Sequence, residues 1–178
     1  MTLQRKTPLK AKSPLRSKKS LISKSRLKQE KSKFEITEIK TPARKASRST
    51  LMKNADDAFS LFIRTRDSQE YEGREFVCIS CGHRKTIDQA DCGHYVNRQH
   101  MSLRFSELNC HAQCRKCNRY MEGNIQDYRA RLIKKIGEQK VLMLEATKHM
   151  QNKLSNFELE LLAKHYKKET KKFTYQIK

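Results

Sequence analysis

Acidic residues are the scarce class in this chain. Nineteen Asp and Glu stand against 40 Lys and Arg in 178 residues, a formal net charge of +21. A folded domain has no need of that excess, which adds self-repulsion. A polyanionic partner does need it, and nucleic acid leads that class. Long apolar runs are missing too: none approaches the roughly 20 residues that span a bilayer. No amphipathic apolar face accompanies the charge, as binding to a membrane surface requires. The basic N-terminus lacks the apolar core of a secretory signal, so a cytoplasmic location is expected. That compartment argues against reading the six cysteines as three disulfides.

Apolar side chains are sparse over residues 1–48. Residues 1–50 hold 16 Lys and Arg against 3 Glu, and TPLK followed by SPLR forms a loose repeat. Such a segment cannot offset its ordering entropy. It is expected to be a disordered basic arm that gains DNA affinity through counterion release, with 27–39 a candidate for helix on a partner. Residues 49–150 form the expected folded domain, and 151–178 a C-terminal helix and tail. Leu51, Ala55, Phe59 and Phe62 recur at helical spacing, which predicts a helix over 51–67. Ser49-Thr50 is its expected cap, and Asp56-Asp57 is placed near its start, where the dipole favours negative charge. Alternation over 75–96 predicts a hairpin: EFVCIS, a turn near Cys81-Gly82-His83, then TIDQADCGHYV. Residues 97–113 read as an irregular connection. Further helices are expected over 124–136, ended by Gly137, and over 138–150 and 155–170. Ile125, Tyr128, Leu132, Ile133 and Ile136 share one side of the first. Ser155 and Glu158 stand at capping-box spacing before the last.

Four cysteines fall into two pairs, Cys78-x2-Cys81 and Cys114-x2-Cys117. A CxxC turn presents two sulfurs to one ion, and two such turns complete a tetrahedral all-thiolate site. A structural Zn2+ is therefore expected. A redox site needs only one pair and leaves the second unexplained. Gly82 suits the tight backbone after the first pair. Cys92 and Cys110, outside the pairs, read as buried free thiols. His83 and His100 read as structural or surface residues.

Between and after the pairs stand His94, Asn109, His111 and Asn118. This order, threaded through a zinc ribbon, resembles the HNH, or ββα-metal, nuclease motif. Hydrolysis of a phosphodiester requires these types: a neutral imidazole to take a proton from water, and an oxygen-held divalent ion to neutralise developing charge. The resemblance implies His94 as general base, Asn109 as a brace for its loop and Asn118 as a ligand of a catalytic Mg2+ or Mn2+. HNH motifs often carry Asp or His immediately before the base. Here that position is Gly93, so Asp91, two residues earlier, is the candidate substitute ligand, with His111 its rival. Arg98, Arg104, Arg115, Lys116 and Arg119 surround the motif as candidate phosphate contacts.

The combined pattern of CISCG, GHY, LRF.E.N.H.QC..CN, GN...YR..LI..IG and the upstream AF..FIRTRD-like helix is similar to the NinG, or Rap, recombination proteins of lambdoid phages. The resemblance covers about residues 55–145. It implies an α+β fold, a small zinc-stabilised ββα-metal (HNH-like) core flanked by helices. It also implies a structure-specific DNA endonuclease acting on Holliday junctions and D-loops. A homodimer would suit a junction that needs two cuts, and host or phage recombination proteins are possible partners. The alternative from the same residues is a non-catalytic zinc-ribbon DNA-binding protein that assists recombination. A general nicking or homing-type nuclease is a third reading.

Overall fold

A computed structural model describes residues 46–174. The basic arm up to residue 45, the helix considered over 27–39 and the last four residues lie outside that range. The described chain is α+β. Its order is helix α1 (Arg48–Ser68), strands β1 (Glu75–Val77), β2 (Arg84–Thr86), β3 (Ala90–His94) and β4 (Cys110–Cys114), then helices α2 (Ile125–Ile136), α3 (Glu138–Thr147) and α4 (Asn156–Thr174). No described helix is long and apolar enough to cross a membrane.

Helix α1 starts earlier than its apolar spacing suggests. Ser47, not Ser49 or Thr50, is the N-cap, its hydroxyl accepting from the Thr50 amide at 3.2 Å. Asp56 and Asp57 consequently lie beyond the second turn, where the helix dipole is weak. Asp56 instead holds Arg104 through two hydrogen bonds of 2.8 and 2.5 Å. The buried face, Leu51, Ala55, Ala58, Phe59, Phe62 and Ile63, is the one the spacing implies. It packs on α4, with Phe59 and Tyr166 rings 4.8 Å apart. Cys110 joins the same core.

The expected hairpin is present but shorter. β1 pairs antiparallel with β2, Phe76 opposite Lys85. A 3-10 turn, Ile87–Gln89, then breaks the second segment, so 90–94 belongs to a different sheet. There β3 pairs antiparallel with β4: Asp91 opposite Gln113, Cys92 opposite Ala112, Gly93 opposite His111, His94 opposite Cys110. Part of the connection expected to be irregular is therefore a strand. All five residues of β4 are buried, so CHAQC carries no alternation of apolar and polar residues to announce it.

A π-helical turn over Lys116–Tyr120 follows β4. Helix α2 ends at Gly137, whose φ of +89° suits glycine and whose amide donates to the Ile133 carbonyl at 2.9 Å. Tyr128 and Leu132 are fully buried, whereas Ile125 is exposed and not part of the core side expected of it. Helices α2 and α3 enclose a second core with Tyr95, Val96 and Leu103. Before α4, the Glu158 carboxylate accepts from the Ser155 amide at 2.6 Å and Ser155 Oγ from the Glu158 amide at 3.2 Å, the anticipated capping box. The third core gathers Phe76, Ala90 and Ala112 with Cys78, Cys114 and Cys117, and Cys81 packs against it.

Candidate functional site

The two CxxC pairs converge although 32 residues separate them. The Sγ atoms of Cys78, Cys81, Cys114 and Cys117 all lie within 4.8 Å of one another, and all are free thiols. The first pair is shaped by a tight turn. The Gly82 amide donates to the Cys78 carbonyl at 2.9 Å and the Cys78 amide to the His83 carbonyl at 3.0 Å. Gly82 has φ +70°, and the Arg131 guanidinium occupies the space a Cβ would need. The second pair spans the end of β4 and the π-helical turn. The Cys114 amide points at Cys78 Sγ, 3.3 Å away. Four sulfurs in this arrangement can hold one metal ion in an all-thiolate shell.

His94 closes β3 and faces a cleft of about 670 Å3 that Asp91, Cys92, Asn118, Arg98 and Arg119 also line. Its Nε2 lies 3.0 Å from the Arg104 carbonyl oxygen. A carbonyl can only accept, so Nε2 carries the proton and Nδ1 the lone pair of the neutral ring. Burial lowers the His94 pKa below its ordinary value, and the charges of Arg104 and Arg98 act in the same direction, against hydrogen bonding to the Arg104 and Cys92 backbone. The ring is thus neutral at physiological pH.

The loop that leads to the Arg104 carbonyl is held by Asn109. Asn109 is 0% exposed. Its Oδ1 accepts from the Val96 amide at 2.7 Å, and its Nδ2 donates to the Val96 and Leu103 carbonyls at 2.9 and 3.1 Å. It ties both ends of the 96–103 loop to the start of β4. Tyr128, also 0% exposed, adds a clamp from α2: its hydroxyl lies 3.1 Å from the Gly93 carbonyl and 3.3 Å from that of Asn109. Sequence reasoning placed Tyr128 in the core and missed this contact. Its helical spacing signals burial but not the hydroxyl's destination.

Across the cleft, Asp91 accepts from Arg119 Nε and an Nη at 2.7 Å each, and from Asn118 Nδ2 at 3.1 Å. Burial opposes its charge, but the bonds from Arg119 and then Asn118 outweigh it, so its pKa lies below the ordinary carboxylate value. Asp91 and Asn118 are thus brought together, with the Asn118 amide nitrogen and the Arg119 guanidinium both on the Asp91 carboxylate.

Gly93 brings no ligand, and its neighbourhood explains why. A Cβ there would come within 2.7 Å of Gln113 Cβ. Gln113 is buried and crosses to Ser80 and the Gly123 carbonyl, donating at 2.6 and 2.5 Å. An Asp or His at position 93 has no room.

His111 does not join the cleft. Its ring is buried against α1, Nδ1 accepting from Arg66 at 2.9 Å and lying 3.5 Å from an Asp67 carboxylate oxygen. Asp67 also accepts from the Ala112 amide at 2.7 Å. His111 therefore ties β4 to α1 and is not placed to share an ion with Asp91. Among the arginines, Arg104 is committed to Asp56, and its Nη1 donates to the Arg98 carbonyl at 3.1 Å. Arg115 is exposed and donates to the Asp88 carbonyl at 2.5 Å. Lys116 is exposed. Arg98 and Arg119 are the two of the five that line the cleft.

A family profile described as the bacteriophage lambda NinG protein matches residues 2–175. The chain belongs to the NinG family. It is 42% identical over 100 residues to protein ninG of Escherichia phage lambda, covering 56% of this chain and 46% of that protein. It is 37% identical over 125 residues to protein ninG of Salmonella phage P22, covering 70% of this chain and 58% of that protein. The chain thus spans about half the length of the curated NinG relatives it matches. No solved structure matches the chain.

Proposed function

We propose that this NinG-family chain is an HNH-type, metal-dependent DNA endonuclease of phage recombination that cuts branched DNA such as Holliday junctions and D-loops. The observation that carries the proposal is the pairing of His94 and Asp91–Asn118 in one cleft. The His94 ring is neutral and oriented by a backbone carbonyl, and Asn118 Nδ2 donates to the Asp91 carboxylate, which holds those two side chains together. The strands β3 and β4, with the helical turn bearing Asn118, support an HNH-like core.

In this reading a Zn2+ on Cys78, Cys81, Cys114 and Cys117 is structural. His94 Nδ1 takes a proton from the attacking water, a role worth roughly 100- to 10,000-fold in rate. Asn109 positions the Arg104 carbonyl that fixes the base. Asp91 and the Asn118 carbonyl would hold Mg2+ or Mn2+, which supplies charge neutralisation at the scissile phosphate when bound. Arg119 must first leave Asp91, and a DNA phosphate is a ligand able to draw it away. Branch selectivity would come from DNA shape, since the basic arm raises affinity for any duplex. A homodimer would supply two cuts, and recombination proteins are candidate partners.

The alternative, a zinc-bearing DNA-binding accessory protein without catalysis, draws support from the occupied Asp91 carboxylate and the lack of a ligand at Gly93. Cleavage of a labelled four-way junction and the matching linear duplex separates the two. Both are run with Mg2+ or Mn2+ and with EDTA. The proposal expects metal-dependent cutting of the junction, weak cutting of the duplex, and loss of both in His94→Ala with its zinc retained. Tight binding without cutting by the wild-type chain would favour the accessory protein.

A further inference from the structure

A second cluster of soft donors lies toward the other end of the β3–β4 pair from Cys114. Cys92 Sγ, Cys110 Sγ and one ring nitrogen of His94 are all within 4.8 Å of one another, the same separation that gathers the four-cysteine set. The register accounts for it. His94 and Cys110 face each other across β3 and β4, and Cys92 is two residues before His94, on the same side of its strand.

The donor types matter. Two thiolates and an imidazole match a zinc-group ion, and three protein ligands leave a fourth position open. A ligating histidine commonly rests its other N–H on a carbonyl, as His94 does on Arg104 at 3.0 Å. Asn109 Nδ2, bonded to the Val96 and Leu103 carbonyls, also lies 3.9 Å from Cys110 Sγ. Cys92 and His94 line the cleft, so an ion has a route from solvent. Neither cysteine belongs to a CxxC pair, and both are free thiols.

We infer that Cys92, His94 and Cys110 form a second, exchangeable Zn2+ site, and that zinc bound there blocks DNA cleavage by occupying the imidazole. The ion site stands on the donor cluster alone. The inhibition rests on the proposed role of His94 as general base. A thiophilic ion at this cluster and an oxygen-held Mg2+ near Asp91 would then act oppositely on one reaction.

The test begins by counting ions on the full chain. Zinc is removed and Co2+ titrated in, following the cobalt–thiolate absorbance, with elemental analysis of the zinc-reloaded protein. Two equivalents are expected for wild type. One is expected for Cys92→Ala and for Cys110→Ala, and the retained four-thiolate spectrum shows that each variant has folded. One equivalent in wild type, or two in both variants, overturns the site. Counting needs no DNA, so it decides the site even if the chain proves not to cut. In the cleavage assay with Mg2+, added Zn2+ is expected to inhibit wild type and to leave Cys92→Ala active. Equal inhibition of both overturns the blocking role, and absence of any cutting counts instead against the nuclease reading.

Discussion

Single side chains decide the geometry around His94, and Asn109 is the one with the most to lose. It satisfies an amide and two carbonyls from a fully buried position. Asn109→Ala removes all three bonds without admitting water, at about 1–3 kcal/mol for each group left unsatisfied. We expect a loss of roughly 3 kcal/mol in urea-unfolding free energy. Junction cleavage should also fall under conditions where the variant remains folded. Gly93 is constrained by space rather than by φ. Gly93→Ala should lower the melting temperature, because Gln113 cannot withdraw without abandoning its bonds to Ser80 and Gly123. The two CxxC pairs, His94, Asn109 and Asn118 were legible in the sequence because each is a distinctive type at distinctive spacing. The fate of His111 was not. A histidine between a buried asparagine and a cysteine has the same appearance whether it faces a cleft or a helix. Only the pairing of β3 with β4 directs it to Arg66 and Asp67.

At the scale of elements, Asp67 joins the end of α1 to β4. Burial works against its charge, but the bond from Arg66 and the charges of Arg66 and Lys135 hold its pKa well below the ordinary carboxylate range. The folded state therefore binds fewer protons than the unfolded state as pH falls below about 4. This contribution is complete above that pH and is lost as pH descends toward the folded value. Urea titrations between about pH 5 and pH 3 should show stability falling with acid, with a shallower slope in Asp67→Asn. That variant should also lose about 3 kcal/mol at neutral pH by leaving buried partners uncompensated. The helices were readable from apolar spacing, and α4 additionally from its Ser155–Glu158 box. Strand β4 was not, because a segment buried on both faces carries no period of two. The start of α1 was misplaced for a simpler reason: the run Ser47 to Thr50 offers three hydroxyl residues, and composition alone does not choose among them.

At the scale of the whole molecule, three small cores share the load among the described residues, and half of the buried residues in the one around Phe76 are cysteines. Without an ion, four thiols take the place of packed aliphatic side chains. Chelation with EDTA or phenanthroline should therefore lower the melting temperature of wild type. The Cys78→Ser variant should start near that lowered value and respond little to chelator. The chain's excess charge predicts a second property. DNA affinity should fall steeply with salt, log K declining by about 0.9 per phosphate neutralised, whether or not the DNA is branched.

The packing of α1 against α4 has a kinetic consequence. Arg48 reaches Asn156 and the Leu154 carbonyl, at 3.1 and 2.9 Å, across 108 and 106 residues. Phe62 meets Phe173 at the other end, with ring centroids 5.8 Å apart. The two helices therefore run parallel and come from opposite ends of the described chain. A parallel pair cannot form by folding back through a short turn; everything between must first be traversed, and that loop entropy is paid before the contact returns anything. On the ribosome, the apolar face of α1 emerges more than a hundred residues before its partner. The cysteine turns can close locally in the meantime, but the core that seats Cys110 must wait until α4 has emerged.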